Sequence, residues 1–221
     1  IKKLKEILGV LMINFLFRMI SSLVLAPLFL WVVYTNNIFF YIFLLIIFVI
    51  SLVELKLIFI KSKILYISLF FLLLAFIYCA FKIRGDSYNS FYYLLWVVLI
   101  VWLSDIGGYI FGNIFKGPVL SEWSPKKTFS GLFGSLILSQ FAFTVLFIPE
   151  QSFQYTVKIF LIQFFLSIIA ILGDLFFSFI KRKHNIKDYS NLIPGHGGLL
   201  DRIDGMIFVI IFAYLIKTNG Y

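Results

Sequence analysis

Charge is what this sequence has least of. Only 13% of its 221 residues are Asp, Glu, Lys or Arg, whereas 62% are hydrophobic and 20% aromatic. A soluble domain is about half apolar and about a quarter charged. The shortage therefore excludes an ordinary soluble globule and leaves an integral membrane protein. Cysteine is nearly absent: Cys79 stands alone inside an apolar run. That excludes an intrachain disulfide and a cysteine-based metal site, and Cys79 reads as a small buried residue. Acids number 10 against 19 Lys and Arg, a net charge of +9. The cations fall in loops between apolar runs, as the positive-inside rule gives any membrane protein, so no nucleic acid partner is expected. The sequence lacks both GxxxxGK[ST] and GxGxxG, which excludes a P-loop enzyme and gives no dinucleotide fingerprint. No small-residue cleavage site follows a short apolar core, so no cleavable signal peptide is expected. Soluble domains, low-complexity linkers and internal repeats are not expected either.

Long apolar runs are what the chain has in plenty. They predict one all-α, membrane-embedded domain over residues 1–221 with about seven transmembrane helices. The spans fall at roughly 19–35, 38–53, 64–81, 91–112, 129–148, 156–180 and 203–216. Arg18 would sit at the cytoplasmic edge of the first, with Pro27 tolerated inside it, and residues 1–17 have an interfacial helix as their alternative. Asn36 and Asn37 make a turn, Glu54 to Lys63 a charged loop, and Lys116 to Thr128 a polar loop. Pro149 and Glu150 stop the fifth span.

The charge pattern tests this count. With the N-terminus inside, the inner segments hold Lys2, Lys3, Lys5, Arg18, Lys56, Lys61, Lys63, Lys116, Lys126, Lys127, Lys181, Arg182, Lys183, Lys187 and Arg202. The outer segments keep only Lys82, Arg84, Lys158 and Lys217. That asymmetry puts both polar loops on the cytoplasmic face, where nucleotides are available.

Most of the polar chemistry lies in one stretch, Ser178 to Asp204, SFIKRKHNIKDYSNLIPGHGGLLDRID. It mixes cations, three acids (Asp188, Asp201 and Asp204) and the small-residue run from Pro194 to Gly198. A site for phosphates and a metal needs this mixture: cations for phosphate oxygens, carboxylates for Mg2+, glycines for close backbone approach. Asp105 and Asp174 lie within spans, where a carboxylate is costly unless it faces a partner or a polar cavity. On a helix Asp174, Ser178 and Lys181 share one stripe. Asp201 and Asp204 stand at i, i+3 where the last helix starts, a place where acids also serve as ordinary dipole partners. His196 between two glycines is either a turn residue or a ligand, and His184 reads as a solvated loop residue. The aromatics, chiefly Phe, read as lipid-facing and packing residues.

These residues resemble the signature of the phosphatidate cytidylyltransferase (CDP-diacylglycerol synthase) family. The resemblance rests on S-x-x-K-R-x4-K-D-x-S-x2-I-P-G-H-G-G-L-x-D-R-I-D from Ser178 to Asp204. Upstream, Gly173-Asp174 resembles the family's G-D element, and Ser124-Pro125-Lys126-Lys127-Thr128 with Gly131 its SPxKT-x-x-G element. Asp105, Tyr109 and Gly112 resemble its D-x-x-x-Y-x-x-G helix. Arg18, Pro27 and Glu54 stand where family members often have such residues; elsewhere the match is in hydropathy alone. Ser130 departs from the pattern, standing where many members carry an acid. The chain is also shorter than typical bacterial members, and the missing spans would lie in the first half.

The resemblance implies a reaction, CTP plus phosphatidic acid giving CDP-diacylglycerol and pyrophosphate, in a multi-pass protein of a bacterial-type inner membrane. It implies Mg2+ on Asp174 and Asp201, with room for a second cation, and Asp105 and Asp204 as outer or alternative ligands. Lys126, Lys181, Arg182, Lys187 and Arg202 would bind phosphates, and Ser124, Thr128 and Ser178 would supply hydroxyl donors. His196 would bind phosphate or relay a proton, and membrane lipids and a homodimer partner complete the implied set. Three rivals remain. A transporter or channel fits the intramembrane acids; a CTP-using enzyme with another lipid acceptor, such as a polyprenol kinase, fits the motif; a catalytically dead member does not fit the intact acids and cations.

Overall fold

The computed structural model describes residues 24, 26–35, 38–59, 62–85, 88–145, 153–192 and 197–218. Helices follow the apolar runs: α1 Ala26–Thr35, α2 Ile38–Phe59, α3 Lys63–Arg84, α4 Tyr88–Phe115, α5 Phe129–Ser139, α6 Phe153–Lys183 and α7 Leu200–Thr218. Four of them, α2, α3, α4 and α6, are long and apolar enough to cross a membrane. The others are short, or, like α7, carry several charges near their ends. The expectations for residues 1–23, for the turn at Asn36 and Asn37, and for Pro149 and Glu150 lie outside the described residues.

Two helix ends differ from expectation for identifiable reasons. The second helix runs on to Phe59 because Glu54, read as a loop charge, is buried and only 3% exposed. The fifth stops at Ser139 and tightens into a 3-10 turn over Gln140–Val145, where the Gln140 N–H is shared between Ile137 O and Leu138 O. Among the described residues the all-helical expectation holds apart from one hairpin in the stretch read as a polar loop. There β1 (Val119–Ser121) pairs antiparallel with β2 (Ser124–Thr128). Lys116 and Gly117, at φ 51° and 113°, turn the chain out of α4 into this hairpin.

The described residues cluster into two compact units. One contains those up to Phe70 together with Lys187–Arg202. Its core includes Phe40, Leu44, Leu55 and Phe59, with Phe59 edge-on to Tyr189. The other contains Phe71–Ile186 and the rest of α7 from Ile203. Here small residues let helices approach closely, as lipid-embedded helices commonly do. A Cβ on Gly108 would lie 2.8 Å from Ser135 Oγ, and one on Gly131 2.8 Å from the Gly108 carbonyl oxygen. Gly173 faces Gly205 and Phe208 in the same way. Buried polar groups zip the same helices together. Ser135 Oγ donates to Ser104 O at 2.7 Å, Trp96 Nε1 donates to Gln163 Oε1 at 2.9 Å, and Gln163 Nε2 donates to Ser139 O at 2.6 Å. Every one of these donors finds an acceptor, which an apolar surrounding requires.

Gly134 packs with no room for a side chain, since a Cβ would strike Phe111 and the Gly107 carbonyl. Gly134→Val should therefore cost about 1–3 kcal/mol by overpacking. Ile137→Val, on the exposed side of α5, should change little. Thermal unfolding of both variants in detergent checks the contrast.

Candidate active site

The second unit assembles a polar cleft from α4, β1, β2, α5 and α6. Thr128 ends β2 and caps α5: its backbone is extended, and its hydroxyl accepts the Gly131 N–H at 3.1 Å. The Thr128 and Ser130 hydroxyls lie 2.9 Å apart, and Ser130 Oγ donates to Lys116 O. This ties the base of the hairpin to the end of α4. At the tip, the Trp123 ring packs edge-on to Phe179 with centroids 4.8 Å apart. Arg182 Nε donates to the Trp123 carbonyl at 3.3 Å, so α6 holds the tip. Alternation along β2 then gives neighbouring lysines different surroundings. Lys126 is exposed, whereas Lys127 turns inward and its Nζ pairs with Asp174 Oδ2 on α6.

The result is a cavity of about 250 Å³ lined by Asp105, Tyr109, Lys126, Lys127, Thr128 and Asp174, among others. It gathers two acids far apart in sequence with the lysines of the SPKKT stretch. Beside it in the same unit, Lys181 Nζ lies 3.8 Å from Asp204 Oδ2, and Asp204 Oδ1 accepts the Gly205 N–H at 2.8 Å. Asp204 is also within electrostatic reach of Asp174 and Asp105. The expected stripe along α6 thus reaches different partners: Asp174 meets Lys127, while Lys181 meets Asp204. Ser178 is half-buried between them on the same helix, and Ser124 opens β2.

Lys187, Asp201 and Arg202 belong to the first unit. Lys187 and Arg202 are exposed there. Asp201 Oδ2 accepts the N–H groups of Tyr189 at 2.8 Å and Gly198 at 2.9 Å, closing the segment into a loop. His196 lies outside the described residues. Sequence reasoning gave Glu54 no role. Its carboxylate accepts from Leu199 N at 2.9 Å, Leu200 N at 2.8 Å and Ser190 Oγ at 2.6 Å. The available signal was a single acid within the 22-residue apolar helix α2.

A family model for cytidylyltransferases matches residues 12–218, nearly the whole chain. The chain belongs to the cytidylyltransferase family. It is 43% identical over 133 residues to a protein of Rickettsia conorii named phosphatidate cytidylyltransferase, covering 55% of this chain and 58% of that one. A Bacillus subtilis protein of the same name is 34% identical over 136 residues, covering 61% and 51%. One from Aquifex aeolicus is 36% identical over 133 residues, covering 59% and 49%. The chain spans about half the length of the curated relatives it matches.

For a cytidylyltransferase, the donor set suits Mg2+, since carboxylates and hydroxyls are hard oxygen ligands. Among the described residues, no three His, Cys, Asp or Glu side chains are grouped so as to hold an ion alone. That is compatible with Mg2+, which is usually held by one or two carboxylates together with substrate phosphates and water. Asp105, Asp174 and Asp204 are acids of the second unit, and Asp174 and Asp204 each already have a lysine at hand.

Lys127 and Asp174 are respectively 30% and 25% exposed at their side chains. Solvent therefore screens the pair, and Lys127→Met should destabilise the folded protein by only about 1–2 kcal/mol. Lys126→Met, at an exposed position on the same strand, should leave the unfolding temperature unchanged. Calorimetry of the two variants in detergent measures the difference.

Proposed function

We propose that this chain is a phosphatidate cytidylyltransferase, making CDP-diacylglycerol and pyrophosphate from CTP and phosphatidic acid. The observation that carries the reading is the cleft where Lys126, Lys127 and Thr128 face Asp105 and Asp174. It occurs in a member of the cytidylyltransferase family. The cleft's named charges balance, two lysines against two aspartates. A polyanion gains little from a neutral site unless it brings a cation, so the nucleotide would enter as its Mg2+ complex. Mg2+, when bound, would draw charge from the phosphate oxygens as the α–β bond breaks.

The chain's own residues bind and align. A phosphatidate oxygen forms the new bond to the α-phosphorus, and the bond to the β-phosphate oxygen breaks with its electrons leaving on pyrophosphate. Lys126, Lys127, Lys181, Arg182, Lys187 and Arg202 would neutralise phosphate oxygens on the two reactants. Ser124, Thr128 and Ser178 would orient them by hydrogen bonds. Asp174 and Asp201 are the Mg2+ carboxylates that the motif resemblance assigns, with Asp105 and Asp204 as outer ligands and a second cation a further member. The lipid phosphate is already a competent nucleophile, so His196 is assigned to phosphate positioning. The finer topology belongs to the same reading: seven spans, N-terminus and polar loops cytoplasmic, in a bacterial inner membrane, as a homodimer.

Purified chain in detergent, given α-labelled CTP, phosphatidic acid and Mg2+, should yield a labelled lipid, and omission of Mg2+ should abolish it. Asp174→Asn and Asp201→Asn should each lower the rate at least about a hundredfold. Labelled lipid that survives either substitution would remove that residue from the metal site; no labelled lipid from folded wild type would overturn the reaction.

A further inference from the structure

We infer that Glu54 is a positioning residue: its carboxylate acts as the internal anion that gathers Ser190, Leu199 and Leu200 and so sets the start of the helix carrying Asp201 and Arg202. This rests on the cytidylyltransferase reading for its consequence, though not for its geometry. Glu54 is buried near the end of an apolar helix. An ionised carboxylate in such a place must be fully hydrogen-bonded. Among the described residues its partners are all uncharged donors, and all three come from one segment. Leu199 N at 2.9 Å and Leu200 N at 2.8 Å are orphan donors of the first turn of α7. Ser190 Oγ, at 2.6 Å, completes the set while accepting the Leu192 N–H at 3.2 Å.

Each partner gains from the arrangement. A negative charge at a helix N-terminus meets the positive end of the helix dipole. Helix α7 begins at Leu200, so Glu54 fixes the start of the helix one residue before Asp201 and two before Arg202. Asp201 then closes the same loop from the other side through Tyr189 N and Gly198 N. Gly198 shows how tight the fit is: a Cβ there would lie 2.7 Å from Glu54 Oε1 and 3.0 Å from Ser190 N. Two carboxylates therefore organise one loop. Asp201 is half-buried, while Glu54 is buried and never needs to touch substrate.

The amide of Glu54→Gln keeps the shape but turns an NH2 donor toward a backbone N–H, so one of the three bonds is lost. Glu54→Asp is one methylene too short. Ser190→Ala removes one donor and leaves the helix cap. Leu44→Ala, also buried on α2, is the control for stability loss without a changed loop. In the full chain in detergent, hydrogen exchange at Leu199 and Leu200 should quicken in Glu54→Gln and stay unchanged in Leu44→Ala. At a temperature where all variants are folded, equilibrium binding of CTP with Mg2+ should weaken about tenfold or more in Glu54→Gln and Glu54→Asp. It should weaken a fewfold in Ser190→Ala and not at all in Leu44→Ala. Unchanged exchange in Glu54→Gln would overturn the contact. Altered exchange with unchanged CTP affinity would reduce Glu54 to a stability role and overturn the positioning claim. Wild type that binds no CTP would overturn the functional reading and the positioning role with it, while the exchange result still reports on the contact.

Discussion

A carboxylate among apolar helices has to be answered, and this protein answers four of them with two kinds of partner. Asp174 takes a lysine from a β-strand, Asp204 a lysine from one turn of α6, and Glu54 and Asp201 take backbone N–H groups. For Glu54, which is buried, the penalty for being left unmatched is several kcal/mol, a large share of the net stability of a domain; for the part-exposed Asp174 solvent makes it smaller. So the acids dictate where the connecting segments run. The hairpin meets α6 where Lys127 reaches Asp174, and Tyr189, Ser190, Gly198, Leu199 and Leu200 are drawn in because Glu54 and Asp201 need donors.

Close helix approach supplies the other half of the arrangement in the second unit. Glycines at 108 and 131 bring α4 and α5 nearly into backbone contact. Ser135 bonds the Ser104 carbonyl within that contact, and Gln163 of α6 bonds the Ser139 carbonyl beside it. Asp105 follows directly after Ser104, and Thr128 directly precedes α5, so the crossing that the glycines permit carries both residues to the same cavity. Residues too small to act chemically thus determine which chemical groups meet.

The sequence was most legible where hydropathy and motif spacing agree. The apolar runs foretold the positions of α2, α3, α4 and α6, and Asp105, Lys126, Lys127, Thr128 and Asp174 line one cavity. What escaped was pairing across distance. The stripe Asp174, Ser178, Lys181 is a true helix face, but nothing local says that Asp174 will meet Lys127 or that Lys181 will meet Asp204. The hairpin was hidden because Val119–Thr128 is short, polar and without clean alternation of apolar residues. Glu54 was misread because charge near Lys56 and Lys61 looks like a loop, whereas the helix continues beneath it and buries the acid. Helix ends moved for the same reason: capping and burial settle them, and both are tertiary properties.

The cleft joins a lysine-bearing strand, a helix N-terminus and hard carboxylates, a combination suited to a polyphosphate and its metal. Its central claim is that the nucleotidyl part of CTP, and not its terminal phosphate, goes to the lipid. Parallel reactions with CTP labelled at the α- or the γ-phosphorus decide this directly. The account predicts α-label in the lipid and γ-label in free pyrophosphate. Label from the γ-phosphorus in the lipid, with none from the α-phosphorus, would contradict it and mark the chain as a CTP-dependent lipid kinase.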